Sequence, residues 1–298
     1  MKRNVFLTIL VVVASVQQLL GANYKFLHIN SQNGLPHQQV EALAQDAKGN
    51  LWIGTRNGLS RYDGYNIYTY YHNDEANSLT HNMVHALLVD KKQRLWVATE
   101  NGICRYRSKT DDFRCYSQPQ GLFWSMTEDN EGNIFFGGMT LCRYNEEKDT
   151  IERMTIFGDD WINALDVDND GRLYVATNTL ICHYDKTFTK IMRLPSQYYA
   201  DFMKGNNVIV PIHFDWKGRL WVGRNGQGAM CIDTKKGTSK VFPPGQISSG
   251  FIRCITEDHL HRIWLGTEKG ITIIHPDGKI EILQHEYHNI HSLSDNAV

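Results

Sequence analysis

The sequence predicts an all-β fold, a β-propeller made of four-stranded antiparallel blades. Three observations support this: a repeat, a fixed turn chemistry and the lack of any stretch with a helical period. A unit of about 43 residues recurs six times, with aromatic anchors at Trp52, Trp96, Phe135, Tyr174, Trp221 and Trp264. Four short strands per unit are typical of a propeller blade. The alternative, a β-solenoid, has shorter coils that lack paired glycine turns.

The first turn of each unit begins with an aspartate. These residues are Asp46, Asp90, Asp129, Asp168, Asp215 and Asp258. Four of the turns carry a glycine three residues later, at Gly49, Gly132, Gly171 and Gly218. The carboxylate can accept local N–H groups and glycine adopts positive φ, so each pattern predicts a tight turn between the first two strands. The small residue four positions before the aspartate suits a crowded inner strand, and the aromatic anchor suits packing between blades.

The two ends of the chain repeat parts of this unit. Residues 291–298 (HSLSDNAV) resemble residues 77–84 (NSLTHNMV), which lead into the second unit, and the motif YHN precedes both stretches. The segment Tyr24–Ile29 has the pattern of an outer strand, but no inner strands precede it. A strand of this kind can close an open sheet edge. We therefore expect six blades, an N-terminal closing strand and the start of a seventh blade. On this reading, residues 23–298 are an incomplete propeller, seven-bladed in a longer protein.

Composition and the first 22 residues indicate an exported globular chain. The formal net charge of −1 argues against a nucleic-acid partner, which would attract a basic surface. Residues 1–22 have a basic start at Lys2 and Arg3, a short apolar run and small residues at Gly21 and Ala22, which predicts a signal peptide. The apolar run is shorter than the ~20 residues of a membrane-spanning helix. We expect a periplasmic chain without a membrane span beyond the signal peptide.

The six cysteines are expected to be free thiols. Four of them fall at one repeat position, on the predicted third strand: Cys104, Cys142, Cys182 and Cys231. Equivalent positions in successive blades lie farther apart than the ~7 Å between Cα atoms that a disulfide can bridge. Cys115 and Cys254 fall on other strands and have no evident partner. The thiols are therefore expected to act as small apolar fillers.

No metal or cofactor is predicted. Residues 166–171 (DVDNDG) resemble the first half of a calcium loop, but Thr177 stands where a bidentate glutamate is needed. His285, His288 and His291 lie three residues apart in a connector, where a solvated loop is a better interpretation than a zinc site.

Enzymatic activity is not predicted either. The adjacent carboxylates Asp159 and Asp160 could in principle transfer protons, but glycoside hydrolysis needs two carboxylates at a defined separation. Most other acidic residues belong to turns, and no G-x-S-x-G nucleophile motif occurs.

One face of the propeller carries the candidate ligand-binding residues. The first strand starts at this face, and the turn between the second and third strands lies there too. Its residues vary between units while the frame repeats, and such variable loops often bind ligands. The candidates are Arg56, Asn57, His85, Glu100, Asn101, Trp124, Trp161, Asn163, Arg224, Asn225, Arg253, Glu268 and Lys269. Aromatic rings among polar groups suit a sugar; the alternative is solvated turn residues, with both tryptophans buried between blades.

Residues 46–64 (DAKGNLWIGTRNGLSRYDG) resemble the two-component regulator propeller repeat. The resemblance extends over residues 24–298 and is weaker in units three and four, while unit five has Arg224 where threonine recurs. It implies the N-terminal portion of a periplasmic sensor from a Bacteroidetes hybrid two-component system, which responds to oligosaccharides. The histidine kinase of that family is not in this sequence. The alternative function is a propeller that binds another protein, a second propeller or a homodimer partner.

Overall fold

The computed structural model of the chain contains six antiparallel sheets of four strands each. The structure describes residues 24–116, 119, 121–154, 161–178, 180–188, 190–195 and 209–298. The predicted signal peptide, residues 1–22, lies outside these ranges. Within them, no helix has the length and apolar character needed to cross a membrane.

Each sheet is one blade, and its strands follow the chain. Blades 1 to 3 contain β1 (Val40–Gln45), β2 (Leu51–Thr55), β3 (Gly58–Tyr62), β4 (Ile67–Tyr70), β5 (Val84–Val89), β6 (Leu95–Thr99), β7 (Gly102–Arg107), β8 (Asp112–Tyr116), β9 (Phe123–Glu128), β10 (Ile134–Gly138), β11 (Leu141–Asn145) and β12 (Thr150–Arg153). Blades 4 to 6 contain β13 (Ile162–Val167), β14 (Leu173–Thr177), β15 (Ile181–Tyr184), β16 (Ile191–Arg193), β17 (Ile209–Phe214), β18 (Leu220–Arg224), β19 (Gly228–Asp233), β20 (Thr238–Phe242), β21 (Ile252–Glu257), β22 (Ile263–Thr267), β23 (Gly270–Ile274) and β24 (Ile280–Leu283). A 3₁₀ turn, Ser31–Asn33, precedes β1.

The first strands of successive blades pack against one another, from β1 through β5, β9, β13 and β17 to β21. Within a blade each strand pairs with the next one in sequence, so the fourth strand lies farthest from this inner ring. These two relations define a β-propeller. The predicted fold, with six four-stranded blades, is confirmed.

Within a blade, the turn aspartate joins the first turn to the aromatic anchor of the second strand through hydrogen bonds. In blade 2, Asp90 is 1% exposed, and its carboxylate accepts the Arg94 N–H at 2.8 Å and the Trp96 Nε1–H at 2.9 Å. The same aspartate-to-indole hydrogen bond recurs in blades 1, 5 and 6. Where glycine is missing from the turn, Gln93 and His261 adopt the positive φ instead. The sequence pattern therefore describes both the turn and the anchoring of the aromatic ring.

The aromatic anchors lie between blades, as expected. The Trp96 side chain is fully buried, and its ring centroid lies 4.7 Å from that of Tyr144 in the next blade. The Trp96 ring also stacks on the ring of Tyr116 in its own blade, with the centroids 5.8 Å apart. Burial of such rings contributes a few kcal/mol each.

The expectation that all six thiols are free is wrong. Cys104 on β7 lies directly opposite Cys115 on β8, with Cα atoms 4.0 Å apart, and the two form a disulfide. Equivalent positions in different blades are too far apart for a disulfide, whereas adjacent strands of one blade bring opposed residues within bridging distance. The free cysteines are Cys142, Cys182, Cys231 and Cys254.

The predicted shared position of four cysteines holds for three of them. In blade 5, Met230 takes that position opposite Val222, and Cys231 lies one residue later, opposite Trp221. The cause is the turn between β18 and β19, which contains three residues, 225–227, where the corresponding turn in blade 1 contains two.

The ring of inner strands has an open wedge between blade 6 and blade 1. Within the described chain, β1 and β21 lack the close packing that joins the other neighbouring first strands. Val40 and Leu43 of β1 are 41% and 60% exposed, whereas Val84, at the position of Val40 in blade 2, is fully buried. The difference arises because no sheet of the described residues packs over this side of β1.

Residues 24–29 and 291–298 line this wedge, and their contacts correspond to those at the entry to blade 2. The Phe26 N–H donates to His291 O at 2.9 Å, as the Phe113 N–H of β8 donates to Asn77 O at 2.9 Å. Residues 24–29 thus occupy the place of a fourth strand, although they form no ladder with a strand of the described chain.

The C-terminal segment enters the wedge as residues 77–84 enter blade 2. Val298 lies beside Gly266 of blade 6, and Val84 lies beside Gly54 of blade 1, where a Cβ on either glycine would meet the valine. Upstream of these segments, the structural correspondence differs from the one that the YHN motif suggests, which would match His72 with His288. His72 and His285 occupy equivalent places, because the Nδ1 atom of each contacts the carbonyl oxygen of the equivalent leucine.

Candidate functional site

A β-bulge interrupts the first strand of every blade. In blade 2, Val84 opposes Thr99 and Ala86 opposes Ala98, so His85 is the extra residue. Bulges redirect a side chain and are frequent beside functional sites. The bulged residues are Glu41, His85, Trp124, Asn163, Pro211 and Arg253. In blade 5 the bulge lies one residue later than in the other blades, because Pro211 stands at the position of Ala42 in blade 1. We call the face of the propeller that the other five residues share the bulge face.

Four of the bulged side chains bind the residue that follows the second strand of their own blade. The pairs are Glu41 with Arg56 (2.7 Å), His85 with Glu100 (2.6 Å), Asn163 with Asn178 (2.9 Å), and Arg253 with Glu268. Ion pairs at the surface contribute only ~0–1 kcal/mol to stability, and the side chains of the three charged pairs are 17–50% exposed. They can therefore exchange partners with a ligand at little cost to the fold.

Blade 3 presents aromatic and apolar groups at the same level. The rings of Trp124 and Trp161 lie 5.6 Å apart between centroids and are tilted by 54°. The Trp161 side chain is 51% exposed, and Met139, which follows the second strand of blade 3, is 49% exposed. An exposed indole between the polar pairs of blades 2 and 4 provides a flat apolar surface flanked by hydrogen-bonding groups.

Three of the predicted residues belong to the turn after the second strand. The backbone N–H groups of Asn57, Asn101 and Lys269 donate to the hydroxyl of the preceding threonine at 3.0 to 3.2 Å. Each threonine hydroxyl in turn donates to the carbonyl oxygen of the glycine that begins the third strand. These backbone groups are used by the turn, and only the side chains project outward.

Blade 5 departs from this turn. Arg224 replaces the threonine and is 0% exposed, and loss of hydration on burial lowers its pKa. The Asn225 Oδ1 atom is buried and accepts no hydrogen bond from the described residues. Pro211, the bulged residue of this blade, has no N–H to leave unpaired at the bulge. Of the thirteen predicted residues, Arg224 is thus the one that the structure withdraws from the surface.

Sequence reasoning missed Glu41, Asn178 and Met139. Glu41 precedes the small residue Ala42 of the first strand, as His85 precedes its small residue, so this position could have been read in every unit. Asn178 and Met139 follow the second strand at the position of Arg56. They were missed because the bulge, which turns the first-strand side chain toward them, has no sequence signature.

The features considered as metal or acid–base sites have structural roles where they are described. Asp168 accepts the N–H groups of Asp170 and Arg172 at 3.0 and 2.9 Å, as a turn aspartate does. Across the described ranges, no three His, Cys, Asp or Glu side chains lie together in a way that could hold a metal ion. Asp159 and Asp160 lie outside the described residues.

Comparison with known protein families identifies the repeat. A family model described as two component regulator propeller matches residues 34–57, 78–101 and 246–269. The chain contains two-component regulator propeller repeats. The resemblance seen in the sequence is thereby confirmed. Each match spans the bulged first strand, the aspartate turn and the second strand, so these repeats include the elements that build the bulge face. No curated protein matches the chain.

Two solved structures similar to these repeats are extracellular domains of hybrid two-component systems from B. thetaiotaomicron. Each is 20% identical over 92% of this chain, with a TM-score of 0.76. The chain spans 37% and 38% of the length of these two proteins. A virginiamycin B lyase from Staphylococcus aureus is 18% identical, with a TM-score of 0.70 and 90% of both chains covered. At this identity the likeness concerns the fold, which is shared by extracellular domains of two-component systems and by a lyase.

Proposed function

We propose that this chain is the extracytoplasmic, ligand-sensing propeller of a hybrid two-component regulator, that it has no catalytic activity of its own, and that it binds an oligosaccharide on the bulge face. The repeat and the similar extracellular domains support the sensor role. The observation that carries the ligand site is the bulge in every first strand. Five of the six repeats keep the bulge at one position, and blade 5 has it one residue later, while the bulged side chain changes from blade to blade. Such variation is expected where the scaffold is shared and recognition is specific.

The chemistry of blades 2 to 4 suits a sugar. The half-exposed indole of Trp161 can stack on the CH face of a pyranose ring, and the neighbouring pairs offer both donors and acceptors to hydroxyl groups. Binding requires only that exposed pairs such as His85–Glu100 reorient. A small number of polar groups around an aromatic surface is the usual composition of a ligand site.

Isothermal titration of the chain against a panel of plant and host oligosaccharides tests this proposal, with Trp161→Ala as the variant. We expect the variant to bind the recognised sugar about tenfold more weakly, which corresponds to ~1.4 kcal/mol of lost stacking. Trp216→Ala is a matched control, since Trp216 is 48% exposed but lies in the turn at the opposite end of its blade. Failure to bind any sugar of the panel, or equal loss in both variants, would refute the carbohydrate site.

A second candidate function is protein binding, and the wedge favours it. Leu43 is 60% exposed there, and Leu27 and Ile290 on the two chain ends are 84% and 79% exposed. Exposed large apolar side chains are one feature of protein interfaces. Monomeric behaviour in light scattering at high concentration would count against this function.

A further inference from the structure

The outer cleft between blades 2 and 3 is filled by a balanced polar cluster. The Asp149 carboxylate accepts the hydroxyl groups of Tyr116 and Tyr144, each at 2.7 Å. It also pairs with Arg105 at 3.2 Å and with Arg114 at 2.9 Å. Although burial opposes it, the pKa of Asp149 is lowered by these hydrogen bonds and by the arginine charges. One carboxylate thus neutralises cations on two strands of the preceding blade.

A second acid of blade 3 completes this balance. Glu146 pairs with Lys92 at 2.6 Å and with Arg94 at 3.1 Å. Arg94 also pairs with the turn aspartate Asp90 of its own blade. Blade 2 therefore contributes cations to the cleft, and blade 3 contributes the acids that neutralise them.

In the cleft between blades 5 and 6, both of these acids are missing. The strand pairing places Pro276 of blade 6 at the position of Glu146, and Gly278 at the position of Asp149. Gly278 retains the positive φ of that position, 91° against 50° for Asp149. Blade 6 thus has a shorter turn here, residues 276–278 against 146–149 in blade 3, and lacks both carboxylates.

Blade 5 nevertheless keeps most of the cations. The equivalent residues are Lys217 for Lys92, Arg219 for Arg94 and Lys240 for Arg114. Arg219 pairs with its turn aspartate, Asp215, at 2.6 Å. Lys217 and Lys240 form no ion pair with the residues that the structure describes. Their ammonium groups lie 4.8 Å from the ring centroids of Trp216 and Phe242.

The same substitutions open space in this cleft. Cys231 stands where Arg105 stands in blade 2, and Ile274 stands where Tyr144 stands in blade 3. A hollow of about 220 Å³ lies between the two blades, and it adjoins one of about 420 Å³ that is lined by blade 5 alone; both are lined by Arg219, Cys231 and Lys240. Burial raises the pKa of the Cys231 thiol to about 11, so this residue adds no negative charge at neutral pH.

The acids that remain at the rim have other partners. Asp233 pairs with Lys236 at 3.4 Å, and the Asp277 carboxylate accepts the Lys279 N–H at 2.9 Å. Lys235, a further cation, lines the larger hollow. The lining of the larger hollow thus contains five cationic side chains and one acid, Asp233.

We propose that the cleft between blades 5 and 6 binds a ligand that carries sulfate, phosphate or carboxylate groups, held by Lys217, Arg219 and Lys240. The oxyanion of the ligand takes the position that the carboxylates of blade 3 occupy in the cleft between blades 2 and 3. Charge-assisted hydrogen bonds to such groups are among the strongest that proteins form. This site is separate from the bulge face and does not depend on the function proposed for it.

Titration calorimetry of the whole chain at low ionic strength tests the site with four probes. These are inorganic sulfate, inorganic phosphate, a disulfated disaccharide and the same disaccharide without sulfate. We expect the sulfated sugar to bind and the unsulfated one not to bind, with affinity falling as salt is added. Binding of the inorganic ions with equal affinity would identify the oxyanion alone as the ligand, and tighter binding of the sulfated sugar would show that a saccharide carries it.

Gly278→Asp restores the acid of blade 3 and should weaken binding of the charged probe about tenfold or more, since a charged hydrogen bond contributes ~1.5–3 kcal/mol. A Cβ on Gly278 would meet no atom within 4 Å, although the φ of 91° at this residue favours glycine. Lys240→Gln should have a similar effect and carries the test if the first variant fails to fold. Lys48→Gln, at the blade 1 position equivalent to Lys217, is the control. The proposal is overturned if wild type binds none of the charged probes at millimolar concentration, or if Lys240→Gln binds as wild type does.

Discussion

The wedge between blades 6 and 1 predicts that one further sheet stabilises the propeller. A direct perturbation is to append a copy of residues 85–107, which complete the first three strands of blade 2, after Val298. Because Val298 lies on Gly266 as Val84 lies on Gly54, the copy would enter the wedge in the register of blade 2. Residues 24–29 would then lie beside its third strand. Seven blades in total remain a prediction, and this extension shows whether the wedge accepts one.

The expected gain follows from the apolar surface that the added sheet covers. Leu43 is 60% exposed and Val40 is 41% exposed, and full burial of such side chains contributes ~1.5–3 kcal/mol each. Covering the exposed fractions of both contributes about 2 kcal/mol. That gain is sizeable beside a typical net stability of ~5–15 kcal/mol.

Urea unfolding, light scattering and hydrogen exchange at the Phe26 amide measure the effect. We expect the extended chain to unfold at higher urea, to associate less and to exchange Phe26 more slowly. The control is the same extension with Asp in place of its copy of Trp96, which cannot pack between blades. If the extended chain and the 298-residue chain unfold at the same urea concentration and exchange Phe26 equally fast, the wedge does not take a blade and the reasoning is wrong.

Two further predictions concern the blades themselves. Asp90→Ala should lower the free energy of unfolding by about 3 kcal/mol in urea titration, because it leaves the buried Trp96 Nε1–H without an acceptor and removes a charged partner of Arg94; the exposed Asp63→Ala is the control. Alkylation under denaturing, non-reducing conditions should label four of the six cysteines and leave a peptide linked through Cys104 and Cys115.

Each of these has a clear contrary result. A loss no larger for Asp90→Ala than for Asp63→Ala would mean that the aspartate-to-indole hydrogen bond does not anchor the blade. Labelling of all six cysteines would mean that Cys104 and Cys115 are not joined.

Sequence reasoning succeeded where the interaction is local. The hydrogen bonds of a turn aspartate such as Asp90 reach residues four and six positions later, so the pattern of residues contains the whole interaction. The repeat of about 43 residues predicted the number of blades for the same reason, since each blade is a contiguous segment of the chain. The turn after each second strand also recurs at a fixed distance from the aspartate, so the sequence locates this turn in every unit, while the ligand site proposed there stays a prediction.

It failed where the answer depends on which residues face each other across strands. The disulfide joins β7 to β8, and the misplaced Cys231 results from one extra turn residue that the repeat alignment did not register. Glu41 was missed for a related reason, because a bulge changes the direction of a side chain without changing the pattern of residue types.

The sequence by itself determined the fold class, the six blades, their turns and the similarity of the two chain ends to a blade entry. Only the tertiary structure decided the contents of the clefts between blades. The loss of Asp149 and Glu146 equivalents in blade 6 matters only because the cations of blade 5 face them, about forty residues earlier in the chain. Charge balance and packing volume are properties of residues that meet in space, so they become visible only when neighbouring blades are placed side by side.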